Sequence, residues 1–215
     1  MKRKINWLKH ALDFLTVGIS IFVGFQLNTY SEVSKQKKTL NNHREYVIEE
    51  TLINQEKLKE AQNSVLESLK TLDALKSKIQ QKEDINIIYH LTLKLMDDSG
   101  FFNIQTIAYK TLANSDISIL KFDERKDIVS LYGNYDATDI VQNKALDGFN
   151  QYFNYLKANI QIYTFVTPKR EVFETQKFSN ILGEYRYLLK KKEKKYIDCQ
   201  QRITQFLEKH QKRSR

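Results

Sequence analysis

Between Phe14 and Phe25 the chain carries twelve consecutive residues without a charge, and the basic residues Lys2, Arg3, Lys4 and Lys9 precede them. A run of this kind has to be covered by lipid or by protein, so it constrains the fold more than any other stretch. The wider window from Ala11 to Leu27 holds thirteen apolar residues, glycines included, interrupted by Asp13, Thr16, Ser20 and Gln26. As a helix rising about 1.5 Å per residue it would span roughly 26 Å. That is at the short end of what crosses a hydrocarbon core of about 30 Å. Extending it to Trp7 and Tyr30 places an amphipathic ring at each end, where a bilayer interface favours one.

The expectation is a single-pass transmembrane helix over residues 11–30, with Trp7, Phe14, Ile19, Phe22, Phe25 and Tyr30 as its anchoring residues. A cleaved signal peptide would share the basic start, but Gln26-Leu27-Asn28 follows without a small-x-small cleavage pattern. A buried helix of a water-exposed protein is compatible with an apolar run of twelve residues. An interfacial helix would need a charged face that residues 14 to 25 lack. Basic residues flank both ends, Lys35, Lys37, Lys38 and Arg44 following the run, and the tighter N-terminal group favours N-inside. This reading places the protein in the inner membrane with its main domain in the periplasm. Ser20 and Gly24, four apart, form a small-xxx-small pair suited to a neighbouring helix.

Past the anchor, six glycines and one proline in 215 residues leave few points at which helices would be interrupted. The fold class expected is all-α: the anchor, a long leucine-bearing helix and an antiparallel helical bundle. The divisions are a basic tail at 1–10, the anchor at 11–30, a long amphipathic helix or stalk at 31–82, a helical domain at 83–210 and a basic tail at 211–215. In the stalk Leu58, Val65, Leu72 and Ile79 recur every seven residues, a pattern shared by a coiled-coil seam and by a helix packed on its own domain. A break is expected near Asn41 or Asn63. Asp84 is placed to cap a helix running to Leu95. Phe101 and Phe102 open a further helical segment through Ile104, Ile107, Ala108 and Leu112. Asp123 is expected to cap the next helix, Gly133 and Gly148 to mark close packing or local weakness, and Pro168 to end that region or open the next. The last helix is expected over 178–208.

Charge is unevenly placed. From Asn180 to Arg215 there are eleven Lys or Arg against four Asp or Glu, so +7 of the net +9 lies there. Arg186, Lys190, Lys191, Lys192, Lys194 and Lys195 make the densest basic surface, with Tyr185 and Tyr187 beside it. Such a surface suits an acidic protein, anionic lipid or another polyanion. Against it stands the commoner meaning of a charge run, a solvated helix face.

Nothing in the chain meets a catalytic specification. His10, His43, His90 and His210 are far apart without metal-ligand spacing. There is no glycine-rich phosphate loop and no serine nucleophile elbow. Asp97 with Asp98 and Asp136 with Asp139 read as helix-end and loop residues rather than acid/base pairs. Cys199 is the single cysteine, so it can form no internal disulfide and reads as a tolerated, partly buried thiol. No catalytic, cofactor-binding or metal-binding residue is assigned, and no cofactor is implied.

Gly24 to Glu32, the acid-plus-leucine segment Glu49, Glu50 and Leu52, the stretch with Ala108, Tyr109, Leu112 and Ser115 to Leu120, and Ile128 to Tyr132 together resemble a family of uncharacterised single-pass membrane proteins of Bacteroidota. The resemblance covers roughly residues 8 to 135. It implies an anchor followed by a helical domain and brings no catalytic residues.

The function expected is that of a membrane-anchored, non-enzymatic accessory or scaffold subunit that positions a protein partner. Its helix-contact residues are Ser20, Gly24, Leu58, Val65, Leu72 and Ile79. The alternative is a cytoplasmic-facing helical protein that binds nucleic acid or anionic surfaces through its basic last helix. The partners expected are a membrane protein or a second copy of the chain, membrane lipid and an anionic surface, with nucleic acid disfavoured.

Overall fold

The computed structural model describes residues 7–97, 100–114, 120–163 and 166–211, and among them every regular element is helical. Helix α1 runs from Trp7 to Gln80, 74 residues without a break. At 1.5 Å per residue that is about 110 Å. No glycine or proline occurs after Gly24 in this stretch, so the break expected at Asn41 or Asn63 has no cause and does not occur. The helix ends where Lys82 adopts a left-handed φ of 52°. Its amide donates to the Ile79 carbonyl (3.1 Å) and the Glu83 amide to that of Lys78 (3.0 Å). This is the Schellman arrangement that satisfies the last carbonyls of a helix.

Helix α2 (Ile85–Asp97) follows at once. The Asp84 carboxylate accepts from the Asn86 amide at 2.7 Å, as expected of a cap. Helix α3 is short, Ile107–Asn114, and the helix expected from Phe101 onward does not form: residues 100–106 are extended or irregular. Helix α4 spans Phe122–Asn159, with Lys121 at the N-cap position and no side-chain cap. Asp123 is therefore not the cap; it lies with Glu124 in the first turn, where the helix dipole favours negative charge. Gly133 and Gly148 are inside this helix, and so are Asp136 and Asp139, which corrects the loop expected there. At Gly148 a Cβ would come within 2.7 Å of the Leu188 side chain, so this glycine lets two helices approach closely. Pro168 precedes a 3₁₀ turn at Arg170–Val172. Helix α5 (Gln176–Gln211) is the last described element, its Phe178 amide held by Thr175 Oγ1 at 3.0 Å.

The body is built from α4, α5 and the second half of α1, with α2 and α3 packed on α1. Arg186 meets Asp73, whereas Phe206 and His210 share a cleft with Val47, so α5 runs antiparallel to α1. Aromatic rings fill the centre. Phe102 stands edge-on to Tyr135 and Tyr196, and Tyr152 stacks with Phe178 and Tyr185. Burial from water is the main driving term for such a core, and each buried hydroxyl then needs a partner. Tyr152 donates to the Thr92 carbonyl (2.8 Å) and Tyr155 to that of Val172 (2.6 Å).

The first half of α1 behaves differently. From Phe14 to Thr39 every residue is exposed, and packing on the body begins at Leu40. Among the described residues no helix is long and apolar enough to cross a membrane. The apolar run from Phe14 to Phe25, twelve residues, covers only about 18 Å, and Gln26, Asn28, Thr29, Ser31 and Glu32 dilute any longer window. The transmembrane helix assigned to residues 11–30 is thus corrected. The single-pass fold class, the membrane-anchored scaffold function and the inner-membrane location with a periplasmic domain are corrected with it. What stands is an all-α protein with a free-standing helical arm.

Candidate binding surface on the last helix

Helix α5 buries Phe178, Leu182, Tyr185, Leu189, Tyr196, Cys199 and Ile203, a stripe at spacings of three and four that faces α1 and α4. That geometry divides the six basic residues of the expected surface. Arg186 is held against Asp73 by two bonds of 2.6 and 3.2 Å. Its guanidinium keeps the Asp73 carboxyl below the usual range, by hydrogen bonding first and by charge second, with partial burial opposing. Lys192 is buried, with its ammonium 5.5 Å from the ring centres of both Phe101 and Tyr196. These two cations belong to the packing of the body.

The other four lie together on the outward side. Lys190 reaches Glu193 at 2.9 Å, Lys191 lies 4.4 Å over the exposed Tyr187 ring, Lys194 is exposed and Lys195 half-buried. Arg202 continues the row: 191, 195 and 202 differ by four and seven, so they share one helix face. The arginine was not among the expected residues, although this spacing could have found it. Among the described residues none of Lys191, Lys194, Lys195 and Arg202 is within ion-pair distance of a carboxylate. From Tyr187 to Arg202 the stripe is about 22 Å long.

The heptad residues Leu58, Val65 and Leu72 are fully buried in the chain's own core, and Ile79 packs half-buried against it. Ser20 and Gly24 are exposed on the arm, as are Phe14, Ile19, Phe22, Phe25 and Tyr30. The side chains of Trp7, His10, Asp97 and Asp98 lie outside the described residues. Asp136 and Asp139 are both exposed, and Asp139 accepts from Gln142 and Asn143 (2.7 and 3.1 Å). His43 is half-buried, His90 exposed and His210 buried beside Asp127 at 2.9 Å. Among the described residues no group of three or more His, Cys, Asp or Glu is placed to hold a metal. Cys199 is fully buried, and burial pushes its thiol up to about 11 against a smaller opposing hydrogen bond from Thr138. The thiol therefore stays protonated at neutral pH and is a poor nucleophile.

A cleft of about 590 Å³ opens at the root of the arm, lined in part by Arg44, Glu124, Ile128, Phe206 and His210. Its charges face one another. Arg44 makes a two-bond pair with Glu124, and Asp127, just beyond, takes Lys209 at 2.6 Å and His210 at 2.9 Å. Burial opposes ionisation of Asp127, but these two bonds outweigh it and hold its carboxyl below the usual range.

A second arrangement that sequence reasoning missed secures the segment 100–106. Asn54 gives and receives a bond with the backbone of Gln105, both 2.8 Å. Gln142 does the same with Phe102, both 3.2 Å, and Tyr196 donates to the Gly100 carbonyl at 3.0 Å. Glu50 accepts from the Ala108 amide at 2.8 Å, at the start of α3, and from the Tyr132 hydroxyl. Burial and that carboxylate push the Tyr132 hydroxyl well up from its ordinary value. These bonds make a structural clamp on the segment 100–106.

Together these features define an all-helical protein with one free arm, a closed core and a basic outer stripe. No family model matches the chain, and neither a curated protein nor a solved structure does. The resemblance to single-pass membrane proteins of Bacteroidota is therefore corrected, since no family match carries it and no described helix reaches the required length.

Proposed function

We propose that this chain is a non-catalytic helical binding protein that holds a polyanionic partner along the outward stripe of α5. The observation that carries the reading is the row Lys191, Lys194, Lys195 and Arg202, aligned on one face without carboxylate partners among the described residues. Cations that form no internal pairs are free to replace the counterions of a partner, and that release supplies salt-dependent, sequence-independent affinity. Tyr187 adds an exposed ring at the head of the stripe, suited to stacking against a base.

Binding of a single-stranded RNA oligonucleotide, followed by fluorescence anisotropy between 50 and 300 mM salt, tests this reading. The variant has Lys191, Lys194, Lys195 and Arg202 changed together to Gln. It should bind much more weakly, and the slope of log K against log salt should fall by about 3, as four lost phosphate contacts on a single strand require. Equal affinity and an equal slope in the two proteins would reject the stripe as the binding surface.

A further inference from the structure

The arm of α1 presents an apolar surface that the rest of the described chain leaves uncovered. Leu12, Phe14, Leu15, Val17, Ile19, Ile21, Phe22, Val23, Phe25, Leu27, Tyr30 and Val33 are between 43% and 82% exposed. With aromatic side chains of about 150–250 Å² and smaller aliphatic ones, they offer on the order of 1,000 Å² per chain. A stable interface needs about 800 Å² from each partner, and monomers rarely expose an apolar patch beyond about 600 Å².

The pattern around the helix says how this surface is covered. Thr16, Ser20, Gly24 and Ser31 fall at intervals of four, four and seven, so they lie on one narrow stripe. The hydroxyls of Thr16 and Ser20 bond to carbonyls of their own helix at 2.8 Å. The large residues occupy most of the remaining circumference. One flat partner or a single groove would leave much of that arc in water, whereas a bundle of like helices encloses it and turns the small stripe outward. The arm also stands clear of the body: residues 14–39 extend about 39 Å before packing begins at Leu40. Bodies therefore do not obstruct arms that come together. Lipid is a poorer fit, because the apolar run from Phe14 to Phe25 is about 18 Å long against a core of about 30 Å, and among the described residues no helix is long and apolar enough to cross a membrane.

We infer that copies of this chain associate through residues 12–33 of α1 into a helical bundle of three or more arms, with the bodies outside it. This inference does not depend on polyanion binding by α5.

The full chain in detergent-free buffer, measured by light scattering after size exclusion, tests it against a variant with Ile19, Phe22 and Phe25 changed to Glu. The wild type should have three or more times the monomer mass at micromolar concentration. The variant should be monomeric, with the thermal unfolding of its body unchanged, because the three side chains touch nothing in the body. Flotation with neutral phosphatidylcholine vesicles supplies the other readout, and the wild type should stay at the bottom of the gradient. A monomeric wild type, a variant of unchanged mass, or a wild type that floats with the vesicles would each overturn the inference, the last by making lipid the occupant of the arm.

Discussion

Replacing Asn54 by Ala should lower the stability of the body by about 2 kcal/mol, a figure that follows from what its amide holds. Asn54 is fully buried in α1, and it gives one bond to the Gln105 carbonyl and takes one from the Gln105 amide, each 2.8 Å. A net hydrogen bond contributes about 0.5–1.5 kcal/mol, and a buried group left unpaired costs about 1–3 kcal/mol. Gln105 is half-exposed, so water can reach its backbone once the amide is gone, and the lower part of the range applies. In a domain of this size about 2 kcal/mol moves the melting midpoint by roughly 4–8 °C. Urea unfolding followed by circular dichroism would read the change, with an unaltered m-value showing that only stability has moved. The Asn54→Asp variant sharpens the test. It keeps the acceptor, loses the donor and sets a carboxylate against the Gln105 carbonyl at a fully buried position of α1, so it should be no more stable than the Ala variant. A loss below about 0.5 kcal/mol for Ala, or an Asp variant as stable as the wild type, would refute the claim that this clamp secures the segment 100–106.

Gly100→Ala should cost about 2–4 kcal/mol, because left-handed backbone is unfavourable for Ala. Gly100 has φ +47°, and the new Cβ would meet the Val65 amide nitrogen at 3.1 Å and the Ala61 carbonyl oxygen at 3.3 Å, atoms of the α1 backbone that cannot move aside; chemical denaturation gives the value. Acid should destabilise the protein through Asp73 and Asp127, whose carboxyls are held below their ordinary 3.8 in the folded state. Their stabilisation is complete above that value and is lost as pH falls through it toward the lower folded-state values. Urea midpoints between pH 6 and pH 2 should show this limb, and Asp127→Asn should make it shallower.

The helices were legible because their signals are local. Asp84 sits immediately before an apolar run and caps it, and the stretch from Phe25 to Gln80 has no residue that would stop a helix. The segment 100–106 was not legible for the opposite reason. Phe101, Ile104 and Ala108 keep helical spacing, yet the backbone between them bonds to Asn54 and Gln142, which are 51 and 40 residues away. Pairing over such distances leaves no mark in a local pattern. The clamp residues also look ordinary in sequence, since a buried Asn or Gln is identified only by what it touches. The heptad of Leu58, Val65 and Leu72 shows a third limit. An apolar repeat says that a face is covered, and the same repeat serves a partner chain or, as in this core, the chain's own α5.

Charge on α5 shows most clearly what separates a basic segment from a basic surface. The run from Lys190 to Lys195 contains five lysines, and by composition each is equal. On a helix they are not, because successive positions are turned by about 100°. Position 192 falls in the row of Leu189, Tyr196 and Cys199 and goes inside, where aromatic rings rather than water solvate the ammonium. Position 186 falls beside α1 and is taken up by Asp73. Positions 191, 194 and 195 fall outward, and only there does the charge remain available to something outside the chain. Binding strength along α5 should therefore follow the row 191, 194, 195 and 202 rather than the total number of lysines. A Lys192→Met variant should leave the salt dependence of RNA binding unchanged. A fall in its salt slope equal to that of Lys191→Gln would show that the segment acts by total charge and not by face.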